Sequence, residues 1–553
     1  MYQGVSARSS AIKAPSSFLL PTRLLQWEDL NAACPRRVQG EGEPKGVMET
    51  MLRRTVRTLL VAAALIVASA PAAESGLRLE VVEHTLANGM RFYLVERHTS
   101  PTVAYLVSFQ VGSRLEAAGS TGISHLLEHM MFKGTRQVGT TDYEAEAPLI
   151  VRLDELQARL RELRQAPEPD REAVERMEEA ISALEAEQAR YVVKNELSQF
   201  YRSHGGVSFN AGTSKDGTHY MVRLPSNKLE MWAYLESDRM ADPVLREFYR
   251  ERDVVLEERR LRIETSPSGL LWERFMAAAY IAHPYGTPII GWPDDVNRFT
   301  RPEVEAYFQR FYTPNNAIGV IVGDIDPERV IPMLERTFGA IPRQAPPEVR
   351  VPSEPPQMGE RRVVVRYEAE PQLMVGYHVP AVTHPDTYPL KVLAAILADG
   401  RTSRFYKRLI DGQRLAVAAD AGAGIRKDPG LFIISATPRA PHTVAELESA
   451  IADEVRRIQS EPPTAWELEK TRNQIDASAV HQFRSNLGIA FRVSRAVSLT
   501  GDWRYIERER ELLKAVTADD VLRVARDYLR QDNRTVAVLL PPETKETAKE
   551  EAP

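Results

Sequence analysis

Cysteine is almost missing from this 553-residue chain, and the single one, Cys34, stands within the first fifty residues. With Met48 or Met51 read as the true start, residues 1–47 become a non-native or disordered extension and the remainder holds no cysteine at all. Disulfides, thiol catalysis and cysteine-ligated metal are then excluded. A basic excess is missing too. The formal charge is only -5, so the chain has no electrostatic footprint for nucleic acid and none is expected as a partner. Long apolar runs are also lacking. The stretch Leu59–Ala68 is too short to span a bilayer, and no stable membrane anchor is expected from it. Arg53, Arg54 and Arg57 precede that stretch and Ala70-Pro71-Ala72 follow it, which is the layout of a secretory signal peptide over 48–73. A signal on a cysteine-free chain points to the periplasm, or to secretion.

What remains is globular in character. Hydrophobic residues make up 43% and charged residues 27% of a chain long enough for more than one core. Residues 80–112 read as strands, with Asn88-Gly89 as a hairpin turn and Val103, Tyr105, Val107, Phe109 and Val111 alternating on one face. Residues 120–133 have helical spacing. Two charged helical runs within 149–195 read as a hairpin whose Leu and Ala stripe is a packing seam. Strands at 207–224 precede helices from 226 to about 264. The proline-rich stretch around 341–360 reads as a linker between a domain at 78–340 and one at 361–542. The second domain repeats the plan of the first: strands at 361–378, helices at 386–411, strands at 415–437, helices at 443–459, 464–484 and 518–529, then a strand at 535–541. Two α+β halves of one plan suggest an internal duplication. The charged tail 543–553 is expected to be disordered.

The sharpest motif is GISHLLEHMMFKGT. His125 and His129 lie four apart, on one face of a helix, so both imidazoles can reach one metal ion. Neutral imidazole suits zinc, which takes nitrogen and carboxylate donors and keeps one position for water. Glu128 can lean over the metal without binding it and accept a proton from that water. A histidine pair without metal is the bland alternative, but only eleven histidines occur in the chain. A third ligand is needed, and ERDVVLEERRLRIE offers Glu251, Glu257 and Glu258 without composition choosing among them.

HLLEH followed downstream by ERDVVLEE resembles the pitrilysin/insulinase family of inverted zinc-motif peptidases. LANGMRFYLV, GGVSFNAGTSKDGTHY, HPYGTPIIG and YTPNNAIGVIVGD match that family's recurring segments, and the resemblance runs over residues 80–540. It implies Zn2+ as cofactor, Glu258 as third ligand and Glu251 as the carboxylate that orients a histidine. It further implies two homologous α/β sandwich domains, each a mainly antiparallel sheet packed with helices, that form half of a clamshell chamber. Asn210 and Ala211 would lie on an edge strand that pairs with an extended peptide or unfolded protein substrate. His219 and His283 stand outside any motif and read as structural.

One departure from the family bears on partners. Active members carry an arginine and a tyrosine that help to stabilise the developing oxyanion. In RLIDGQRLAVAAD these positions fall on Ile410 and Val417, with Arg408 and Arg414 out of register. The expected protein is therefore a zinc endopeptidase subunit, paired as a heterodimer with a related chain that carries the Arg/Tyr pair. The alternative is a non-catalytic scaffold or assembly subunit.

Overall fold

Two β-sheets of the same topology organise the computed structural model, which describes residues 79–543. The extension 1–47, the signal segment 48–73 and all but the first residue of the tail lie outside the described residues.

The first half runs β1 (Val82–Thr85), β2 (Arg91–Glu96), β3 (Thr102–Phe109), α1 (Ile123–Met130), α2 (Tyr143–Gln165), α3 (Arg171–Gln188) and α4 (Glu196–Ser203). It continues with β4 (Val207–Thr213), β5 (Thr218–Pro225), α5 (Leu229–Ala241), α6 (Phe248–Arg259) and α7 (Pro267–Ala279). It closes with α8 (Pro293–Arg298), α9 (Arg301–Phe311), β6 (Ala317–Gly323) and α10 (Pro327–Arg336). The second half runs β7 (Arg361–Arg366), β8 (Gln372–Val379), α11 (Thr387–Ala398), β9 (Ala416–Gly424), β10 (Gly430–Pro438) and α12 (Val444–Ser460). It ends with α13 (Ala465–Gln482), α14 (Asn486–Thr500), α15 (Tyr505–Ala515), α16 (Ala518–Tyr528) and β11 (Arg534–Leu540).

The sheet orders are β1-β2-β6-β3-β5-β4 and β7-β11-β8-β10-β9. Apart from the added β1, each strand of one sheet has a counterpart in the other. The parallel pair also recurs, β2 with β6 and β7 with β11. A repeat at residue level accompanies this. Thr300 and Thr517 each cap the following helix with a capping box, and Val304 and Val521 are buried one turn on. Asn316 and Asn533 each donate to a carbonyl five residues earlier, Phe311 and Tyr528, at 2.8 Å. The spacing is constant across all three pairs.

The halves also exchange a helix. α7 of the first half lies on β7 and β11 of the second sheet, while α14 of the second lies on β3 and β6 of the first. Phe275 of α7 is fully buried there, in a core shared with Val365, Leu431, Ala537 and Leu539. Asn486 ties α14 to the first sheet, donating to Thr102 O and accepting from Arg97, both at 3.0 Å. Because α14 is covered on several sides, NLGIAFRVSRAVSLT shows no clean apolar stripe, and neither α14 nor α15 is legible as a helix in the sequence. The helical hairpin is real but shifted: α2 starts at Tyr143, capped by Asp142, and α3 ends at Gln188. Leu153, Leu160 and Ile181 pack between the two helices as their seam.

Candidate metal centre

α1 starts at a backbone turn that only glycine adopts without strain. Gly122 has φ of 92°, and a Cβ there would meet the Ile290 carbonyl oxygen at 2.3 Å. Glu116 satisfies the free amides of this helix start, accepting from Gly122 N at 2.8 Å and Ser124 N at 2.9 Å. Burial raises the Glu116 carboxyl to about 7 against the pull of those bonds. One turn further, His125 and His129 lie on the same helix face and meet edge-to-face, with ring centroids 4.8 Å apart.

α6 supplies the carboxylates. His129 Nε2 lies 3.1 Å from one Glu258 oxygen, and His125 Nε2 lies 3.7 Å from the other. One donor atom from each of the three residues falls within 4.8 Å of the others. Tetrahedral zinc with these ligands has edges of roughly 3.4 Å, and the two measured His–Glu separations bracket that length. The donor set and its spacing fit a zinc ion. Glu257 points elsewhere: it is exposed and bonded to Arg260 at 2.6 and 2.8 Å.

The surrounding groups fix the histidines. His129 Nδ1 faces Glu251 at 2.9 Å, so its other nitrogen is left for the Glu258 side. Burial works against charge on Glu251, but its bonds to His129 and Lys133 hold the carboxyl down to about 2. Burial likewise opposes charge on His129, yet Glu251 and Glu258 hold its pKa up to about 9. His125 behaves oppositely, lowered to about 4 by burial and by the neighbouring His129. Its Nδ1 is buried with no hydrogen-bond partner. Glu128 points across the cluster and accepts from Thr213 Oγ1 at 2.6 Å; burial raises its pKa.

All four side chains line a cavity of 1510 Å³. Asn210 and Ala211 line it as well, on β4 at the free edge of the first sheet. The corresponding edge strand β9 contributes Ala418, Ala419 and Asp420 to the same cavity. Ile410 and Val417 do not face it: Ile410 packs into the second core and Val417 is 59% exposed. Arg408 turns to Glu454 at 3.3 Å. His283, read as structural, bonds to Asp428 at 3.1 Å, and His219 meets the Phe491 ring edge-to-face. Sequence reasoning missed Thr213, Lys133, Arg262 and Glu116. Arg262 had a signal, since it stands four residues after Glu258 and bonds it at 2.8 Å. Thr213 had none beyond lying on the β4 segment.

The first half matches the family described as insulinase (peptidase family M16) over residues 91–150. The domain described as peptidase M16 inactive domain matches residues 298–475. The chain is 27% identical over 465 residues to the zinc protease PqqE of Helicobacter pylori, covering 83% of this chain and 92% of that one. A protease structure from Helicobacter pylori superposes with a TM-score of 0.71 at 25% identity, over 84% of this chain and all of that one. The chain thus resembles the insulinase (M16) peptidase family in both halves. The beta subunit of the mitochondrial-processing peptidase of Lentinula edodes is a further relative, 24% identical over 80% of this chain and 86% of its own length. The inactive-domain match falls mainly on the second half, and the three converging donors all come from the first.

Proposed function

We propose that this chain is the metal-bearing subunit of a zinc endopeptidase that cleaves unstructured peptides. The observation that carries the reading is the convergence of His125, His129 and Glu258 beside Glu128 on the wall of a cavity large enough for a peptide segment. His125, His129 and Glu258 would hold the zinc, and Glu251 would orient His129. Zinc bound there supplies a Lewis acid that polarises the scissile carbonyl and acidifies water. Glu128, with its pKa raised by burial, accepts the proton of the attacking water and returns it to the leaving amine. Thr213 keeps that carboxylate in place. The free edge of β4 at Asn210 and Ala211 pairs with the substrate main chain, giving affinity without sequence preference.

A related subunit would bring the Arg/Tyr pair, since Ile410 and Val417 lie off the cavity; the relative named as a processing-peptidase subunit supports the two-chain reading. The second reading, a scaffold subunit, draws on that same missing pair. The segment 48–73 supports export to the periplasm or beyond. The test is cleavage of a quenched unstructured peptide by the purified chain, alone and mixed with a related subunit. Activity in the mixture that Glu128→Gln abolishes supports the proposal; no activity in either arm with zinc fully bound moves the assignment to the scaffold.

A further inference from the structure

A second cavity, of 180 Å³, opens in the second half between α11, α14 and α15, and shares no lining residue with the metal cavity. Three cations reach it: Lys391 from α11, and Arg492 and Arg495 from α14. The one carboxylate on its wall is Glu509. Lys391 Nζ pairs with Glu509, Arg492 lies 3.7 Å from it, and Arg495 makes only a long contact of 3.5 Å to the Ile425 carbonyl. Two formal positive charges are thus left over. Burial lowers the Lys391 pKa, and the two arginines push it the same way against the pull of Glu509.

Two buried polar groups here are unanswered. Tyr505 is 5% exposed and its hydroxyl makes no hydrogen bond. The Tyr388 phenol lies near it, but not in hydrogen-bond geometry. Arg492 Nε is also buried without a partner. Unsatisfied groups of this kind are costly to bury, and a ligand that accepts from both would recover that cost. The remaining wall is apolar, from Val382, Ala496, Leu499 and Ile506.

We propose that this pocket binds a small tetrahedral oxyanion, with the phosphate dianion the best match to its donors. Guanidiniums, an ammonium and a phenol approach from different elements, which suits a tetrahedral acceptor better than a planar carboxylate. The surplus charge matches a dianion, and phosphate carries most of that charge at neutral pH. The volume is below the roughly 300–1,000 Å³ of organic-ligand pockets. Free phosphate and the head of a phosphomonoester share this chemistry. A bound anion would brace α14, the helix laid across the first sheet, against α11 and α15.

The experiment is calorimetric titration of the whole chain with inorganic phosphate at fixed ionic strength, with glycerol phosphate, acetate and chloride as further arms. The expected result is one saturable phosphate site per chain, absent with acetate and chloride; glycerol phosphate binding equally well would assign the site to phosphomonoesters as well as the free ion. Arg495→Gln and Tyr505→Phe should each weaken it about tenfold or more. Both changes should leave the melting temperature in chloride unaltered, since one side chain is exposed and the other loses only an unpartnered hydroxyl. Binding that does not saturate, or that both variants keep at full strength, means an adventitious ion only and overturns the proposal. The readout is binding, so it stands or falls apart from the peptidase assignment.

Discussion

The two halves share a strand order, a helix plan and several matching residues, yet among the described residues only the first brings together a candidate set of metal ligands. The spacing that sets Thr300 against Thr517 also sets Phe248, which opens α6, against Ala465, which opens α13. On it, Glu251 and Glu258 fall at Leu468 and Ile475, both packed in the second core. α11, the counterpart of α1, contains no histidine and is buried along most of its length. Where the first half leaves two helix faces polar around a cavity, the second closes them with apolar side chains. A duplicated scaffold tolerates either solution, because what holds it together is the sheet and the exchanged helix rather than the site.

The largest expected effects break this contrast at the cluster. Glu258→Ala should take bound zinc from about one per chain to almost none after dialysis, while Glu257→Ala keeps it, because Glu257 faces solvent and Arg260. Metal analysis of the two purified variants checks this, and equal loss in both would refute the assignment. A milder loss is expected from Glu251→Ala, about 10- to 100-fold in zinc affinity, through a histidine no longer held in one tautomer.

The protonation of His129 sharpens the same point. Its folded pKa lies above the unfolded value, so the metal-free chain draws stability from the protonated ring in full below about pH 6.5. That stability is lost as pH rises through about 9. Zinc must displace this proton, so affinity should climb over that interval and level off above it. Competition titrations across the range measure the climb. In Glu251→Gln the plateau should begin at lower pH, because the carboxylate that holds the proton is gone.

At the exchanged helices the effect is on stability alone. A Cβ on Gly376 of β8 would meet Phe275 of α7 at 2.5 Å, inside a core with no slack. Gly376→Ala should cost about 1–3 kcal/mol in denaturant unfolding. A smaller cost would mean that α7 shifts easily on the second sheet.

Much of this was open to sequence reasoning, for identifiable reasons. The metal helix was legible because H-x-x-E-H puts scarce residue types at helical spacing. The turn at Asn88-Gly89 was legible because two adjacent residues carry the whole signal. The choice between Glu257 and Glu258 was not, since both sit in a run of charge and only the direction of each side chain separates them; the family resemblance supplied it. The exchange of α7 and α14 was invisible, because which sheet a helix covers depends on contacts more than eighty residues apart, such as His378 with the Ala279 carbonyl. The residue-level repeat escaped notice because so few positions carry it.

Those few positions give the finest test of the duplication. Asn316 makes one side-chain bond, to Phe311 O at 2.8 Å. Asn533 makes the equivalent bond to Tyr528 O at 2.8 Å and adds a second, to His378 O at 3.0 Å. A typical hydrogen bond contributes about 0.5–1.5 kcal/mol, so Asn316→Ala should cost about 1 kcal/mol and Asn533→Ala roughly twice that. Both substitutions disturb a turn that delivers the chain into a central strand, β6 or β11, so each should lower the unfolding midpoint without changing the slope. Equal costs would mean that the second bond of Asn533 adds nothing. A negligible cost in both would mean that the shared asparagine is a remnant of the duplication and not a present support of the turn.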